Sequence, residues 1–98
     1  MFALVVRFEL VPERASEFDT LVAETVSAIR ASEPGTVSYV CCKVTDSEYS
    51  RIFMEVYESQ QAFDDHEKSP GTVRFLARRK PLIAGRRVEL LQPYDWKL

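Results

Sequence analysis

Residues 2–11 have the sequence FALVVRFELV, and this stretch decides the fold. Its even-numbered positions are all apolar, and its odd-numbered positions are mostly apolar as well. Successive side chains of a β-strand point to opposite faces of the sheet. The stretch therefore predicts a central strand that is covered on both faces.

A helical period follows the first strand. Apolar and small side chains recur at intervals of three and four residues, at Phe18, Leu21, Val22, Thr25, Val26 and Ile29. This spacing predicts an amphipathic helix from about Arg14 to Ala31. We expect Pro34 and Gly35 to end it, because proline cannot continue a helix and glycine permits the turn.

Three more strands are expected along the chain. Alternating residues predict a strand over 36–44 and another over 51–58, and the turn-forming residues 45–48 join them as a hairpin. A last strand is expected over 86–92, followed by a tail over 93–98. These segments supply the remaining strands of the sheet.

The second helical region is expected in two pieces. Ser59 is a favourable N-cap for a first helix, and Ser69 with Pro70 opens a second one. Pro81 and Gly85 are expected to close the helical region. The break follows from Ser69 and Pro70, which together form a new helix start.

The element order is therefore β-α-β-β-α-β. This order predicts an α+β, ferredoxin-like domain, with an antiparallel sheet and both helices on one face. We expect one domain over residues 1–98, with its core in 2–92. The opposite sheet face is also apolar, and no segment remains to cover it. A second copy packing sheet to sheet, as a homodimer, is the expected cover.

Composition excludes several classes of protein. The chain has 98 residues, and 13 Lys and Arg against 15 Asp and Glu give a net charge of -2, which supplies no field for nucleic acid or an anionic membrane. The N-terminal residues read as a strand and not as a leader, so we expect a cytoplasmic protein. No run of 18 apolar residues predicts a membrane span.

No cofactor or metal is expected. Cys41 and Cys42 are adjacent, which is neither a disulfide framework nor a metal-ligand spacing, and there is one histidine. Glycine-rich nucleotide-binding and nucleophile-elbow motifs are missing. The two remaining hypotheses are catalysis without a cofactor and a role without catalysis.

His66 is the first candidate functional residue. It lies three residues after Phe63 and four after Ala62, so all three share the inward face of a helix. A neutral imidazole between helix and sheet can act as a base near neutral pH. A packed core histidine is the alternative.

Glu55 is the second candidate, on the same strand face as Phe53 and Tyr57. A carboxylate in an apolar run faces either a cavity or a partner chain, because a buried unpaired charge is unfavourable. A bridge from Glu55 to His66 would satisfy both groups. Tyr39, Phe53 and Tyr57 are either core packing or positions that orient a phenolic ligand.

A basic stretch occurs late in the chain, at Arg74, Arg78, Arg79, Lys80, Arg86 and Arg87. The aromatic residues of a nucleic-acid stacking platform are not interleaved with it. We expect a solvated helix face and no nucleic-acid partner.

Three segments together resemble one protein family. Residues 32–39 (SEPGTVSY), 53–57 (FMEVY) and 62–69 (AFDDHEKS) are similar, in order and spacing, to the antibiotic biosynthesis monooxygenase family, and the likeness covers about residues 2–92. The resemblance implies a dimeric α+β barrel of ferredoxin-like protomers. It also implies a pocket between sheet and helices.

The resemblance further implies oxidation of a hydroquinone-like or polycyclic phenol by O2 without metal or flavin. His66 matches the proton acceptor or phenolate-orienting histidine of the family, and Glu55 matches its partner. The pocket-lining, substrate-binding positions correspond to Tyr39, Phe53, Tyr57 and Phe63.

The chain also departs from that family. It contains no asparagine, and its one tryptophan, Trp96, lies in the tail, which disfavours haem degradation. Two alternatives stay open. One is an isomerase or lyase that uses His66 as base and the basic stretch to hold an anionic group, and the other is a non-catalytic dimer that binds a small ligand.

Overall fold

The central strand predicted from residues 2–11 lies inside a four-stranded antiparallel sheet. The computed structural model describes residues 1–98. The elements are β1 (Phe2–Leu10), α1 (Ala15–Ser32), β2 (Thr36–Val44), β3 (Ser47–Tyr57), α2 (Gln60–Lys68), α3 (Pro70–Arg78) and β4 (Ile83–Leu91). The strand order is β2-β3-β1-β4, and every neighbouring pair is antiparallel. The expected ferredoxin-like arrangement is confirmed.

The helices pack on one face of the sheet, which we call the inner face. It carries the even-numbered residues of β1 and, from β3, Phe53 and Tyr57. From the helices, Phe18, Leu21 and Phe75 join this core. Burial of each such large side chain contributes about 1.5–3 kcal/mol relative to exposure, so this layer fixes the helices on the sheet.

None of the helices has the length and hydrophobicity that a bilayer span requires.

The other face of the sheet, the outer face, carries no helix. Val40, Met54 and Leu91 lie on it and are exposed by 44%, 44% and 40%. Cys42 lies on this face opposite Ile52, whereas Cys41 packs against the core on the inner face. The two cysteines therefore point to opposite faces, as a strand requires.

The β2–β3 turn is shorter than the sequence indicated. The turn is Thr45–Asp46, and Ser47 and Glu48 already belong to β3. Asp46 has a φ of 62°, in the left-handed region that a two-residue hairpin turn uses and aspartate tolerates. The expected turn over 45–48 was wrong, because polar residues on an exposed hairpin end are compatible with strand as well as turn.

The break between α2 and α3 is confirmed, and the boundary of β4 is corrected. Ser59 Oγ accepts a hydrogen bond from Ala62 N (3.1 Å), and Ser69 Oγ accepts one from Thr72 N (3.4 Å). However, β4 begins at Ile83, so Gly85 lies within the strand and does not close the helical region. The strand pairing of β4 with β1 overrides the turn preference of glycine at this position.

Gly35 allows α2 to approach the start of β2. A Cβ at Gly35 would lie 2.8 Å from Ala62 Cβ, whereas a Cβ at Gly85 would meet nothing closer than 3.8 Å. We expect Gly35→Ala to lower the free energy of unfolding by about 1–3 kcal/mol through overpacking. Urea unfolding checks this, with Gly85→Ala as the control. The Gly35→Ala/Ala62→Gly double variant should recover part of the loss, and equal effects of the two alanine substitutions would contradict the contact.

Candidate functional site

A cavity of about 240 Å³ lies between the inner face and the helices α2 and α3, and 10 of its 16 lining residues are hydrophobic. Five residues singled out from the sequence line it, namely Tyr39, Phe53, Glu55, Phe63 and His66. Tyr57 is fully buried and does not line the cavity. A mostly apolar cavity with a few convergent polar groups is the usual form of a small-molecule site.

His66 is held by a carboxylate that sequence reasoning missed. Its Nδ1 lies 2.6 Å from Glu33 Oε1, and the side chains of His66 and Glu33 are 5% and 10% exposed. Thr36 Oγ1 donates to Glu33 Oε1 (2.9 Å), and Ser69 Oγ donates to Oε2 (3.1 Å). A carboxylate that accepts these bonds favours a proton on Nδ1, which leaves Nε2 as the acceptor nitrogen of a neutral ring.

The other neighbour of the imidazole is Thr72. Its Oγ1 lies 3.2 Å from His66 Nδ1 and 3.5 Å from Nε2. The contact with Nε2 is at the outer limit of a hydrogen bond. Nε2 is therefore the ring nitrogen with the weakest protein contact, and the ring lines the cavity.

Glu33 reaches His66 through the end of α1. Its backbone N–H donates to Ile29 O (3.0 Å) and closes the helix, and the following Pro34 and Gly35 turn the chain into β2. The two partners are 33 residues apart in sequence, so helix periodicity gives no sign of the pair. The available signal was an acidic residue at a helix end directly before Pro-Gly.

Glu55 has a different partner from the one expected. The hydroxyl of Tyr57 donates to Glu55 Oε1 (2.6 Å), and no hydrogen bond joins Glu55 to His66. Burial raises the pKa of Glu55, while the Tyr57 hydrogen bond and the nearby His66 oppose the rise. Glu55 thus lies beside the imidazole as a buried carboxyl group anchored by a tyrosine.

The two tyrosines remain proton donors. Burial, followed by the nearby Glu55, raises the pKa of Tyr39 and that of Tyr57 far above the ordinary value. Their rings lie 5.6 and 5.2 Å from the His66 ring, centroid to centroid. The site therefore places the His66 ring beside two tyrosine rings whose hydroxyls stay protonated at neutral pH.

The basic stretch is not a uniformly solvated face. Arg79 is half-buried and lines the cavity, with its guanidinium carbon 5.5 Å from the Phe8 ring centroid and 5.6 Å from that of Phe75. Arg86 is exposed but lines the same cavity. The expectation was wrong for these two residues, because α3 ends at Arg78 and the chain turns back along the sheet.

No group of three or more His, Cys, Asp and Glu side chains is arranged to hold a metal ion. The thiol closest to the site, that of Cys41, has a pKa raised to about 12 by burial and by the nearby Glu55. At neutral pH it is protonated, and the thiol form is a poor ligand and nucleophile.

Comparison with known proteins identifies one matching family and several structures with the same fold. The family model described as antibiotic biosynthesis monooxygenase matches residues 1–78. The structure of Rv0793 from Mycobacterium tuberculosis superimposes with a TM-score of 0.89 at 27% identity, covering 97% of this chain and 96% of that one.

Two further structures, both provisionally described as antibiotic biosynthesis monooxygenases, are similar to the chain. The Bacteroides thetaiotaomicron protein has a TM-score of 0.92 at 16% identity and coverage of 99% and 92%. The Caulobacter crescentus protein has a TM-score of 0.90 at 23% identity and coverage of 96% and 90%. Comparison with curated proteins gave no match. At these identities the structural similarity shows the shared fold.

The buried carboxyl of Glu55 predicts a pH-dependent stability difference. Because its pKa is raised in the folded state, the folded protein holds a proton that the unfolded chain releases, and stability falls as pH rises above the ordinary value of about 4.3. Glu55→Gln does not titrate and can still accept the Tyr57 hydrogen bond. The free energy of unfolding of the variant minus that of wild type, measured by urea unfolding, should therefore increase between about pH 4 and pH 7.

The control for this comparison is Glu13→Gln, which removes an exposed carboxylate outside both the sheet and the cavity. A free energy of unfolding of Glu55→Gln minus that of wild type that stays constant or decreases as pH rises contradicts the raised pKa.

Proposed function

Because the chain belongs to the antibiotic biosynthesis monooxygenase family, we propose that it oxidises a small phenolic or hydroquinone-like molecule with O2, without metal or organic cofactor. The observation that carries this proposal is the buried His66, which lines a mostly apolar cavity. Its Nδ1 lies 2.6 Å from Glu33 Oε1. The protein's tasks are to bind the phenol, remove its proton and exclude water.

Proton removal is assigned to Nε2 of His66. With its proton on Nδ1 facing Glu33, the imidazole accepts the phenolic proton at Nε2, and the carboxylate of Glu33 stabilises the imidazolium that forms. The hydroxyl of Tyr39 stays protonated beside the ring and donates a hydrogen bond to the phenolate oxygen. The phenolate is electron-rich enough to react with O2.

The oxidation balances without an external reductant. In a phenol whose para carbon carries hydrogen, that carbon forms a bond to one atom of O2 after electron transfer, and protonation gives a ring hydroperoxide. Loss of the ring C–H proton and cleavage of the O–O bond then give a quinone and water. The phenol supplies all four electrons, one oxygen atom enters the ring, and the other leaves as water.

The size of the cavity favours a small substrate. Its volume of about 240 Å³ lies below the ~300–1,000 Å³ that is typical of ligand pockets. Of the substrate classes implied by the family resemblance, a single-ring phenol fits this volume better than a polycyclic one.

An isomerase is the second candidate, supported by the proximity of a base and protonated hydroxyls. His66 removes a proton next to a carbonyl, and the Tyr39 hydroxyl hydrogen-bonds the developing enolate oxygen before the proton returns to another carbon. This reaction uses the same residues and consumes no O2, so oxygen uptake separates the two functions.

The test is oxygen uptake with a panel of single-ring phenols and hydroquinones in buffer containing a chelator. His66→Gln retains amide hydrogen bonding but provides no base, so we expect the rate above autoxidation to fall about 10²–10⁴-fold. Glu33→Gln should shift the pH profile as well as lower the rate, because it acts through His66. With ¹⁸O2, one labelled atom should appear in the quinone.

The control is again Glu13→Gln, and circular dichroism verifies that each variant is folded. Uptake that His66→Gln leaves unchanged contradicts the role of the imidazole. An unlabelled quinone from a phenol whose para carbon carries hydrogen contradicts oxygen insertion, and proton exchange at carbon without O2 uptake supports the isomerase.

The outer face is proposed to bind a second copy of this chain. Exposed apolar residues such as Val40 and Met54 share this face with two pairs of opposite charge, Arg7–Glu9 and Arg87–Glu89. A face that carries apolar area and both charges can meet itself across a two-fold axis. A homodimer is the assembly that removes this apolar area from water.

Sedimentation equilibrium should give twice the 11.3 kDa chain mass. Met54→Lys places a charge in the centre of the outer face, and we expect it to shift the protein to monomer. The control, Val73→Lys, alters a residue that is 53% exposed on α3 and should remain dimeric. A wild-type monomer at all concentrations, or a dimeric Met54→Lys variant, contradicts the proposed interface.

A further inference from the structure

Two arginines in the cavity have no carboxylate partner. Elsewhere five arginines each have a carboxylate oxygen within 3 Å, namely Arg7, Arg14, Arg51, Arg74 and Arg87. No carboxylate lies within 4.0 Å of Arg79 or Arg86, yet both line the cavity that contains His66. The two remaining arginines, Arg30 and Arg78, are exposed on helices, where water solvates them.

The guanidinium of Arg79 is held in position by the fold. It lies over the rings of Phe8 and Phe75, a geometry that favours a cation on an aromatic face. Its backbone is also fixed, since Arg79 N donates to Phe75 O (2.9 Å) and Leu82 N donates to Arg79 O (2.8 Å). The donors of Arg79 are therefore preorganised rather than mobile.

The two guanidiniums repel each other. Burial lowers the pKa of Arg79 and the nearby Arg86 lowers it further, while Glu67, Tyr39 and Glu55 oppose the fall. Both side chains remain charged at neutral pH. Arg86 is exposed, so water weakens this repulsion, and an anion bound by both guanidiniums would remove it.

The carboxylates near the cavity do not supply that anion. Glu55 is engaged by the Tyr57 hydroxyl, and burial favours its neutral form. Glu67 is exposed and lines the cavity, but it forms no ion pair with either arginine. Arg79 and Arg86 thus form no ion pair with a carboxylate of the chain, although Glu67 and Glu55 act on Arg79 from a longer distance.

We propose that the substrate is a hydroxyaryl carboxylate, whose carboxylate is bound by Arg79 and Arg86 while its ring lies in the apolar cavity. This inference rests on the proposed function, because it takes the phenol acted on by His66 as its starting point. A planar guanidinium binds a carboxylate through two parallel hydrogen bonds, which orients as well as binds. Arg79 and Arg86 lie outside residues 1–78, so the family match does not include them.

The test compares two ligands of nearly equal shape, 4-hydroxybenzoate and 4-hydroxybenzamide. Each is titrated into ¹⁵N-labelled protein under nitrogen, with amide and arginine Nε–H shifts as the readout. We expect the acid to bind at least about tenfold more tightly than the amide. The largest arginine shifts should be those of Arg79 and Arg86.

Variants assign the preference to the two arginines. Arg79→Gln and Arg86→Gln should each reduce the ratio of the two affinities towards one. Arg78→Gln is the matched control, since Arg78 precedes Arg79 but does not line the cavity, and it should keep the ratio. Arg79→Lys should retain part of the preference, because lysine keeps the charge and loses the two parallel hydrogen bonds.

Several results would overturn the inference. These are equal binding of acid and amide, no binding of the acid up to about 10 mM, an unchanged ratio in Arg79→Gln, or an equal loss in Arg78→Gln. If only 4-hydroxyphenylphosphonate binds preferentially, the site recognises a phosphonate-like dianion, and the proposed hydroxyaryl carboxylate is refuted.

The outcome is separable from that of the oxygenase proposal. O2 uptake with neutral hydroquinones and no preference for the acid refutes the anion site alone. Preference for the acid without O2 uptake on 3-hydroxybenzoate, whose ring carbon para to the hydroxyl carries hydrogen, supports the anion site and removes support for the oxygenase.

Discussion

The hydrogen bond between Glu33 and His66 is the interaction on which the candidate site depends. It joins the end of α1 to α2, and the hydroxyls of Thr36 and Ser69 hold the carboxylate from two further elements. Gly35 makes this junction possible, because a side chain there would collide with α2. A histidine fixed in this way has one tautomer and one orientation, which a base needs before it can act on a bound ligand.

Burial shifts the pKa of each of four titratable groups at or beside the cavity towards its neutral form. It raises the pKa of Glu55 and those of Tyr39 and Tyr57, and it lowers the pKa of Arg79. Each direction favours the neutral form, as expected when water is removed from a charge. The tyrosines thereby stay hydrogen-bond donors. The arginines stay charged because their ordinary pKa is so high, and Arg79 and Arg86 line the cavity without an ion-pair partner.

The division of the sheet into two faces separates the cavity from the face that is proposed to bind a second copy. The inner face carries the cavity and the aromatic core, and Phe8, Phe18 and Phe53 lie within 6.1 Å of one another, centroid to centroid. The outer face carries Met54 and Val40, which project away from the cavity. Because strand residues alternate, a substitution on one face leaves the side chains of the other in place.

The sequence by itself determined the fold and part of the site. Alternation in residues 2–11, the helical period from Phe18 to Ile29 and the Ser69-Pro70 helix start gave the element order, because each is a local signal of backbone conformation. Helix phase also placed His66 inward, next to Phe63. The starts of β3 and β4 were predicted too late in the chain, since both strands extend through residues that favour turns.

Only the tertiary structure decided the partners of the charged groups. Glu33 is 33 residues from His66, and Glu55 is bound by Tyr57, two residues away on the same strand face. Arg79 and Arg86 looked like part of a solvated basic stretch until α3 ended and the chain turned back along the sheet. Which acid meets which base depends on distances between elements, and periodicity within one element carries no information about those distances.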